Sequence, residues 1–274
     1  MWLPQLARQM ATLDQMLGGR LTLNIISSDM PGQKMPSDPR YKRTLETMQA
    51  LRAMLNGQAV QMDGEFIKLD IEPPRMRTVS GKAPLFYFGG MSPQARDTAA
   101  QAADVFLMWP DTKDAVAAIL ADMKSRADNY GRTLRFGYRA HVIVRETEAE
   151  ARQAAALLVS KLDGKTGDEI RNRSLDSQSI GVRRQAELRD NAALGDDGDF
   201  VEANLWTGVG RARSGCGAAI VGDPDQVLAK INMYREMGIE AFILSGYPHQ
   251  QECDLFARYV LPNIRWNCLH TGKY

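Results

Sequence analysis

The chain is poor in the residues that build disulfides and metal centres. It has three cysteines, Cys216, Cys253 and Cys268, an odd number with no CxxC pair. A disulfide framework and a structural zinc site are therefore not expected. Its three histidines, His141, His249 and His270, show no HExxH spacing, so metal catalysis has little to stand on. No GxGxxG follows a strand pattern and no GxxxxGK[ST] occurs, which weighs against Rossmann and P-loop nucleotide sites. An excess of one charge is also missing. Lys and Arg total 34 against 33 for Asp and Glu, a net +1. Such balance offers no electrostatic reason to expect nucleic acid or an anionic membrane as partner. No apolar run approaches the roughly 20 residues that span a bilayer. The segment Met1 to Arg8 lacks the charged start and apolar core of a signal peptide, so a cytoplasmic location is the expectation. Ordinary side chains do not activate oxygen, so any oxidative chemistry needs an organic cofactor.

What is present is an alternation of short apolar strands and amphipathic helices. The chain has 274 residues, 44% of them hydrophobic, which suits one large α/β domain such as a single barrel of about 250 residues. A helix over Leu3 to Leu17 stops at Gly18-Gly19. Strands are expected at Arg20 to Ile26, Leu85 to Phe88, Asp104 to Trp109, Phe136 to Val144, Ala218 to Val221 and Ala241 to Ser245. A hairpin over Val60 to Asp70 is expected to turn at Asp63-Gly64. From Gly164 to Gly217 the pattern weakens into polar and glycine-rich sequence, which predicts a lid or binding insertion. About six strand-helix units are visible, and they imply a parallel sheet. Periodicity does not choose between an open sheet and a barrel.

In parallel α/β folds ligands gather at the C-terminal ends of strands. Asn24, Ser27, Ser28, Gly89 to Ser92, Trp109, Arg139, His141, Tyr247 and His249 fall at or near such ends. Gly90-Met91-Ser92 opens a helix, where backbone N–H groups and the Ser92 hydroxyl can hold a phosphate. The same residues also suit a plain turn with a capping serine. Arg139 and His141 alternate on one strand, so both side chains share a face. That face is either a barrel interior near its mouth or a solvated surface. Arg211 and Arg213 lie in a glycine-rich run, where an arginine can capture an oxyanion or simply be solvated. Tyr247 can hydrogen-bond a ligand or pack over a strand end.

Together, several blocks resemble the flavin-dependent alkanesulfonate monooxygenases of the bacterial luciferase-like superfamily. They are Arg20 to Ser28 (RLTLNIISS), Asp38 to Tyr41, Pro84 to Ser92 (PLFYFGGMS), Arg135 to Thr147 (RFGYRAHVIVRET), Asn204 to Gly222 (NLWTGVGRARSGCGAAIVG) and Gly238 to His249 (GIEAFILSGYPH). The resemblance runs from about Ala7 to Pro262. It implies a TIM-type (β/α)8 barrel in one domain over residues 1–274, with 164–217 as a mobile lid. About three barrel strands precede the matching segment in the family, so an incomplete barrel is expected. The resemblance further implies FMN, supplied as FMNH2 by a separate NAD(P)H-dependent flavin reductase, with O2 as co-substrate. The expected reaction converts a small organosulfur compound, an alkanesulfonate, to an aldehyde and sulfite. Arg139, His141, Arg213 and Tyr247 then match catalytic positions. Asn24, Ser28, Tyr41, Gly90, Met91, Ser92 and Trp109 match cofactor-binding positions. A homo-oligomer is the expected assembly. A dialkyl sulfone substrate, a barrel fragment that only binds flavin, and a deazaflavin-dependent reductase are the alternatives.

Overall fold

The computed structural model describes residues 2–27, 35–167, 169, 179–212 and 215–265. Helix α1 (Leu3–Met16) ends as expected at Gly18 and Gly19, whose φ values of 62° and 81° favour glycine. Strand β1 (Thr22–Ile25) and helix α2 (Ser37–Leu55) follow. Next come the hairpin strands β2 (Val60–Asp63) and β3 (Lys68–Ile71), then β4 (Leu85–Phe88) and α3 (Pro93–Ala102). Strand β5 (Val105–Met108), α4 (Lys113–Asn129), the long strand β6 (Arg135–Val144) and α5 (Glu148–Val159) continue the alternation. The pattern-poor stretch holds α6 (Ile180–Ala193), short strands β7 (Phe200–Glu202) and β8 (Leu205–Trp206), and α7 (Val209–Ala212). Strand β9 (Ala219–Gly222), α8 (Pro224–Glu236), β10 (Ala241–Ser245) and α9 (His249–Tyr259) complete the order.

Six strands lie parallel, five in the spatial order β1-β4-β5-β6-β10 and the sixth, β9, also alongside β6. The length of β6 lets it serve three neighbours. Its residues 135–138 pair with β5, 137–141 with β10 and 141–144 with β9. The ladder then continues antiparallel through β8 and β7, so the insertion is stitched to the main sheet. The arrangement is an eight-stranded sheet, and no closed barrel forms among the described residues. There, β1 and β10 each have a single neighbouring strand.

Period-two alternation gives this sheet two different faces. One carries Phe86, Phe88, Phe106, Met108, Phe136 and Ala140, which pack with helical Met48, Leu51, Ala95, Ala99, Leu120 and Ile231 into the main core. The other carries Tyr87, Val105 and Leu107, with Leu85 and Ala241 against them. Residues two apart on β6 and β10 extend this inner face through Arg139, His141 and Ser245. At the two edges the inner face is open to solvent. Thr22 and Asn24 on β1 are exposed, and Ile243 on β10 is 39% exposed.

Local signals account for most element boundaries. Ser92 caps α3, while Thr147 and Asp223 form full capping boxes on α5 and α8. The hairpin departs from expectation. Its connection runs Gly64 to Ile67 rather than turning tightly at Asp63-Gly64, with Gly64 N donating to Ile67 O at 2.9 Å. The nearly buried Glu46 carboxylate decides this. It accepts the backbone N–H groups of Glu65, Phe66 and Ile67 at 3.1, 2.8 and 2.9 Å. A Cβ on residue 64 would lie 2.4 Å from that carboxylate, so glycine is required there by packing.

Candidate active site

The site is built where the C-terminal ends of the strands face the inner side of the sheet. His141 is 1% exposed, and its Nδ1 lies 3.0 Å from the Ser245 hydroxyl of the adjoining strand. The cross-strand register sets this contact, because Ser245 pairs directly with His141 and Ile243 with Arg139. Two residues beyond Ser245, the Tyr247 ring sits 5.3 Å from the His141 ring. His249, at the first turn of α9, meets Tyr247 edge-on at 4.8 Å. Arg139 lies two residues before His141 on the same face. It is half-buried, and its guanidinium makes no hydrogen bond or ion pair among the described residues. A half-buried guanidinium of this kind is suited to an anion.

The turn after Tyr247 is held from behind. Glu252, 4% exposed, takes a two-pronged ion pair from Arg145 at 2.7 and 3.1 Å. Arg145 directly follows β6, so this pair fastens α9 to the strand that carries Arg139 and His141. A Cβ at Gly246 would sit 2.4 Å from Glu252 Cβ and 3.0 Å from Val142 O, which fixes glycine at that corner.

The phosphate-turn residues occupy the neighbouring strand ends. Ser92 Oγ accepts the Ala95 N–H at 3.1 Å, so it caps α3, and its own O–H proton is still available to a ligand. Pro93 has no N–H to contribute. Glycine at 89 is dictated by the sheet, since a Cβ there would lie 2.0 Å from Leu107 O. A Cβ at Gly90 would lie 2.5 Å from Ala95 Cβ and 3.6 Å from the Tyr41 hydroxyl, which brings Tyr41 to this turn. Tyr41 also meets Phe88 edge-on at 6.3 Å, with the Arg40 guanidinium 5.0 Å over its ring. A Cβ on Gly181 of α6 would touch both Met91 and Trp109, at 3.6 and 3.3 Å. Trp109 faces Gly215 as well, where a Cβ would lie 3.6 Å from the indole.

The glycine-rich run reaches the same region through its backbone. Cys216 Sγ donates to Arg139 O at 3.4 Å and His141 N donates to Ala218 O at 3.1 Å. The structure therefore brings His141, Tyr247 and the 216–218 backbone to the region of Arg139, with Trp109, Met91, Gly90 and Ser92 following the adjoining strands and Tyr41 reaching the Gly90 turn from α2. Asn24 lies on the exposed edge strand, paired in register with Tyr87. Arg213 and Ser28 lie outside the described residues. Ser245 was not among the sequence candidates. Strand alternation back from Tyr247 is the signal that finds Ser245. Behind β6, the Tyr138 and Tyr234 hydroxyls bond at 2.8 Å, and burial raises both phenols above their ordinary range. They stay protonated and belong to the core. Among the described residues, no group of three or more His, Cys, Asp and Glu side chains is placed to hold a metal ion. No helix among them is long and apolar enough to cross a membrane.

The sequence profile described as luciferase-like monooxygenase matches residues 5–241. The chain belongs to that family. A sulfoquinovose monooxygenase from Novosphingobium aromaticivorans is 63% identical over 271 residues, covering 96% of this chain and 74% of that relative. A second sulfoquinovose monooxygenase, from Agrobacterium fabrum, is 51% identical over 263 residues, covering 95% of this chain and 67% of its own length. Among solved structures, EDTA monooxygenase from Chelativorans sp. BNC1 superposes with a TM-score of 0.76 at 19% identity, over 100% of this chain and 72% of that one. That likeness identifies the fold as the TIM-barrel-type α/β architecture of these monooxygenases. The luciferase-like relationship expected from the motif blocks is thus established.

Proposed function

We propose that this chain carries the site of a reduced-FMN-dependent monooxygenase that cleaves the C–S bond of an organosulfonate, with sulfoquinovose as the substrate. The observation that supports this most is the half-buried Arg139 guanidinium on the inner face, beside the hydrogen-bonded His141–Ser245 pair. The 63% identity to a sulfoquinovose monooxygenase supports that choice of substrate. The donor set fits a flavin: Arg139 suits its anionic edge or the sulfonate, the Ser92 hydroxyl its phosphate, and Trp109 a flat ring. Bound reduced FMN would supply the electrons that activate O2.

In balance, the sulfonate R–CH2–SO3− with O2 and FMNH2 gives R–CHO, bisulfite, FMN and water. One C–H and one C–S bond break, the carbon is oxidised to an aldehyde, and one oxygen atom ends in water. This chain's residues have three tasks in that reaction. Arg139 holds negative charge at the inner face. His141 takes or returns a proton at Nε2, its orientation fixed through Nδ1 by Ser245. The Tyr247 phenol, whose ring lies tilted beside that imidazole, donates a hydrogen bond to the departing or oxidised group. The Trp109 indole and the glycine run keep water from the reacting carbon.

The test is sulfite release from sulfoquinovose with FMN, NADPH, O2 and a flavin reductase, with octanesulfonate and dimethyl sulfone as comparisons. Sulfite from sulfoquinovose at a kcat/KM at least tenfold above that for octanesulfonate supports the reading. Folded protein that binds FMN yet releases no sulfite from any of the three overturns it.

A further inference from the structure

Helix α6 is tied to the sheet by an unusual number of side chains that the catalytic reading does not use. Arg184 grips Asp111, itself 2% exposed, with both prongs at 2.7 and 2.8 Å. Next along the helix, the buried carboxamide of Gln185 does two things at once. Its Nε2 donates to Pro110 O at 2.7 Å, and its Oε1 accepts the Gly217 N–H at 3.1 Å. One turn further, Arg189 donates to Gly210 O at 2.6 Å, and Gly210 N in turn donates to Gly217 O at 3.0 Å.

These bonds form a continuous path between the two sides of the mouth. Pro110 follows Trp109 at the end of β5. Gly217 lies between Cys216 and Ala218, whose atoms bond the backbone of Arg139 and His141 on β6. Gln185 is the side chain in this path that touches both sides. Both its polar atoms are satisfied, and neither bond duplicates a backbone ladder. Glycines allow many backbone conformations, so the run adjacent to β6 needs such a tie to keep its spacing from the β5 end.

We infer that Gln185 is a positioning residue, whose carboxamide sets the spacing between the Trp109 wall and the glycine run that adjoins Arg139 and His141. The inference rests on the proposed use of that mouth for substrate. It does not require Gln185 to touch substrate or flavin. The Asp111–Arg184 pair holds α6 at the height where the amide spans the gap, and Gly181 leaves room for the indole to lie against the helix.

The experiment compares wild type, Gln185→Leu and Gln185→Glu by hydrogen exchange, FMN binding and sulfite-release kinetics. Leucine removes both bonds at similar volume, whereas glutamate keeps an acceptor for Gly217 but sets a carboxylate oxygen against Pro110 O in place of the donor. For Gln185→Leu, amide exchange in the 207–217 peptide speeds up at least tenfold, while peptides from α8 stay within twofold of wild type. Its kcat for sulfoquinovose falls at least tenfold, and its Kd for FMN stays within threefold. Gln185→Glu likewise exchanges faster than wild type in 207–217 and has a lower kcat. Unchanged exchange in 207–217 for Gln185→Leu overturns the inference, whatever the activity. So does a uniform speeding of exchange across the chain, or a kcat within twofold of an active wild type. If Gln185→Leu does not fold, Gln185→Glu decides instead, and unchanged exchange in 207–217 for that variant overturns the inference. Exchange does not depend on turnover, so failure of the substrate reading appears separately, as a wild type that releases no sulfite.

Discussion

Removing the Glu252 carboxylate should loosen the corner that carries Tyr247, with a measurable loss of stability. Glu252 is 4% exposed and receives both Arg145 prongs at 2.7 and 3.1 Å. Removing one partner of a buried ion pair costs about 3–5 kcal/mol, because the other charge is left uncompensated. Two observations place Glu252→Ala below that range. The Arg145 side chain is 22% exposed, so water reaches it, and its Nη1 keeps a bond to Val144 O at 2.7 Å. A loss of about 2–3 kcal/mol follows, which for a chain of this size lowers the melting temperature by roughly 5–10 °C. Arg145→Ala strands a more deeply buried carboxylate and should cost about 3–5 kcal/mol. The double variant should lose less than the two single losses added together, since each single loss includes an unpaired charge. Thermal and urea denaturation of the four proteins provide the measurement. A melting temperature within 2 °C of wild type for Glu252→Ala, or strictly additive losses, would refute the reasoning.

The remaining predictions concern the site and its supports. Ser245→Ala removes the Nδ1 partner of His141 and should lower kcat/KM for sulfite release about tenfold, with FMN binding intact; an unchanged pH–rate profile would argue against a proton role for His141. Arg139→Lys keeps the charge but loses the planar fork, so KM for the sulfonate or Kd for FMN should rise at least fivefold in steady-state and titration assays. Gly89→Ala places a Cβ 2.0 Å from Leu107 O and should yield little folded protein on gel filtration. Burial pushes the Glu46 carboxyl up, but the amides of Phe66, Ile67 and Glu65 outweigh it and hold it below the usual carboxylate range. Its contribution to stability is therefore present above the unfolded-state carboxylate pKa and is lost as pH falls through the lower folded value. The stability gap between wild type and Glu46→Gln should accordingly be wide at pH 7 and narrow below about pH 4 by chemical denaturation.

Much of the architecture is written locally. Short apolar runs mark β4 to β6. Ser92, Thr147 and Asp223 announce helix starts, and Gly18-Gly19 ends α1. These signals act over a few residues, so a linear reading recovers them. The site residues on β6 are legible for the same reason, since strand period alone places Arg139 and His141 on one face. The hairpin escapes a local reading because its turn is set by Glu46, about twenty residues upstream and on another element. The stretch before the glycine run shows little pattern for a similar reason. Helix α6 has a thin apolar stripe and is held instead by Arg184 and Gln185, bonding partners 73 and 75 residues earlier in the chain.

The sequence by itself determined the strand-helix alternation, the helix caps, the family and the shared face of Arg139 with His141. Tertiary structure alone decided that Ser245 would meet His141, that the Tyr247 ring would lie tilted beside it, and that Gln185 would join Pro110 to Gly217. The division has a physical cause. Backbone periodicity and capping are short-range properties of neighbouring residues. Side-chain convergence depends on sheet register and crossover packing, which bring together segments more than a hundred residues apart.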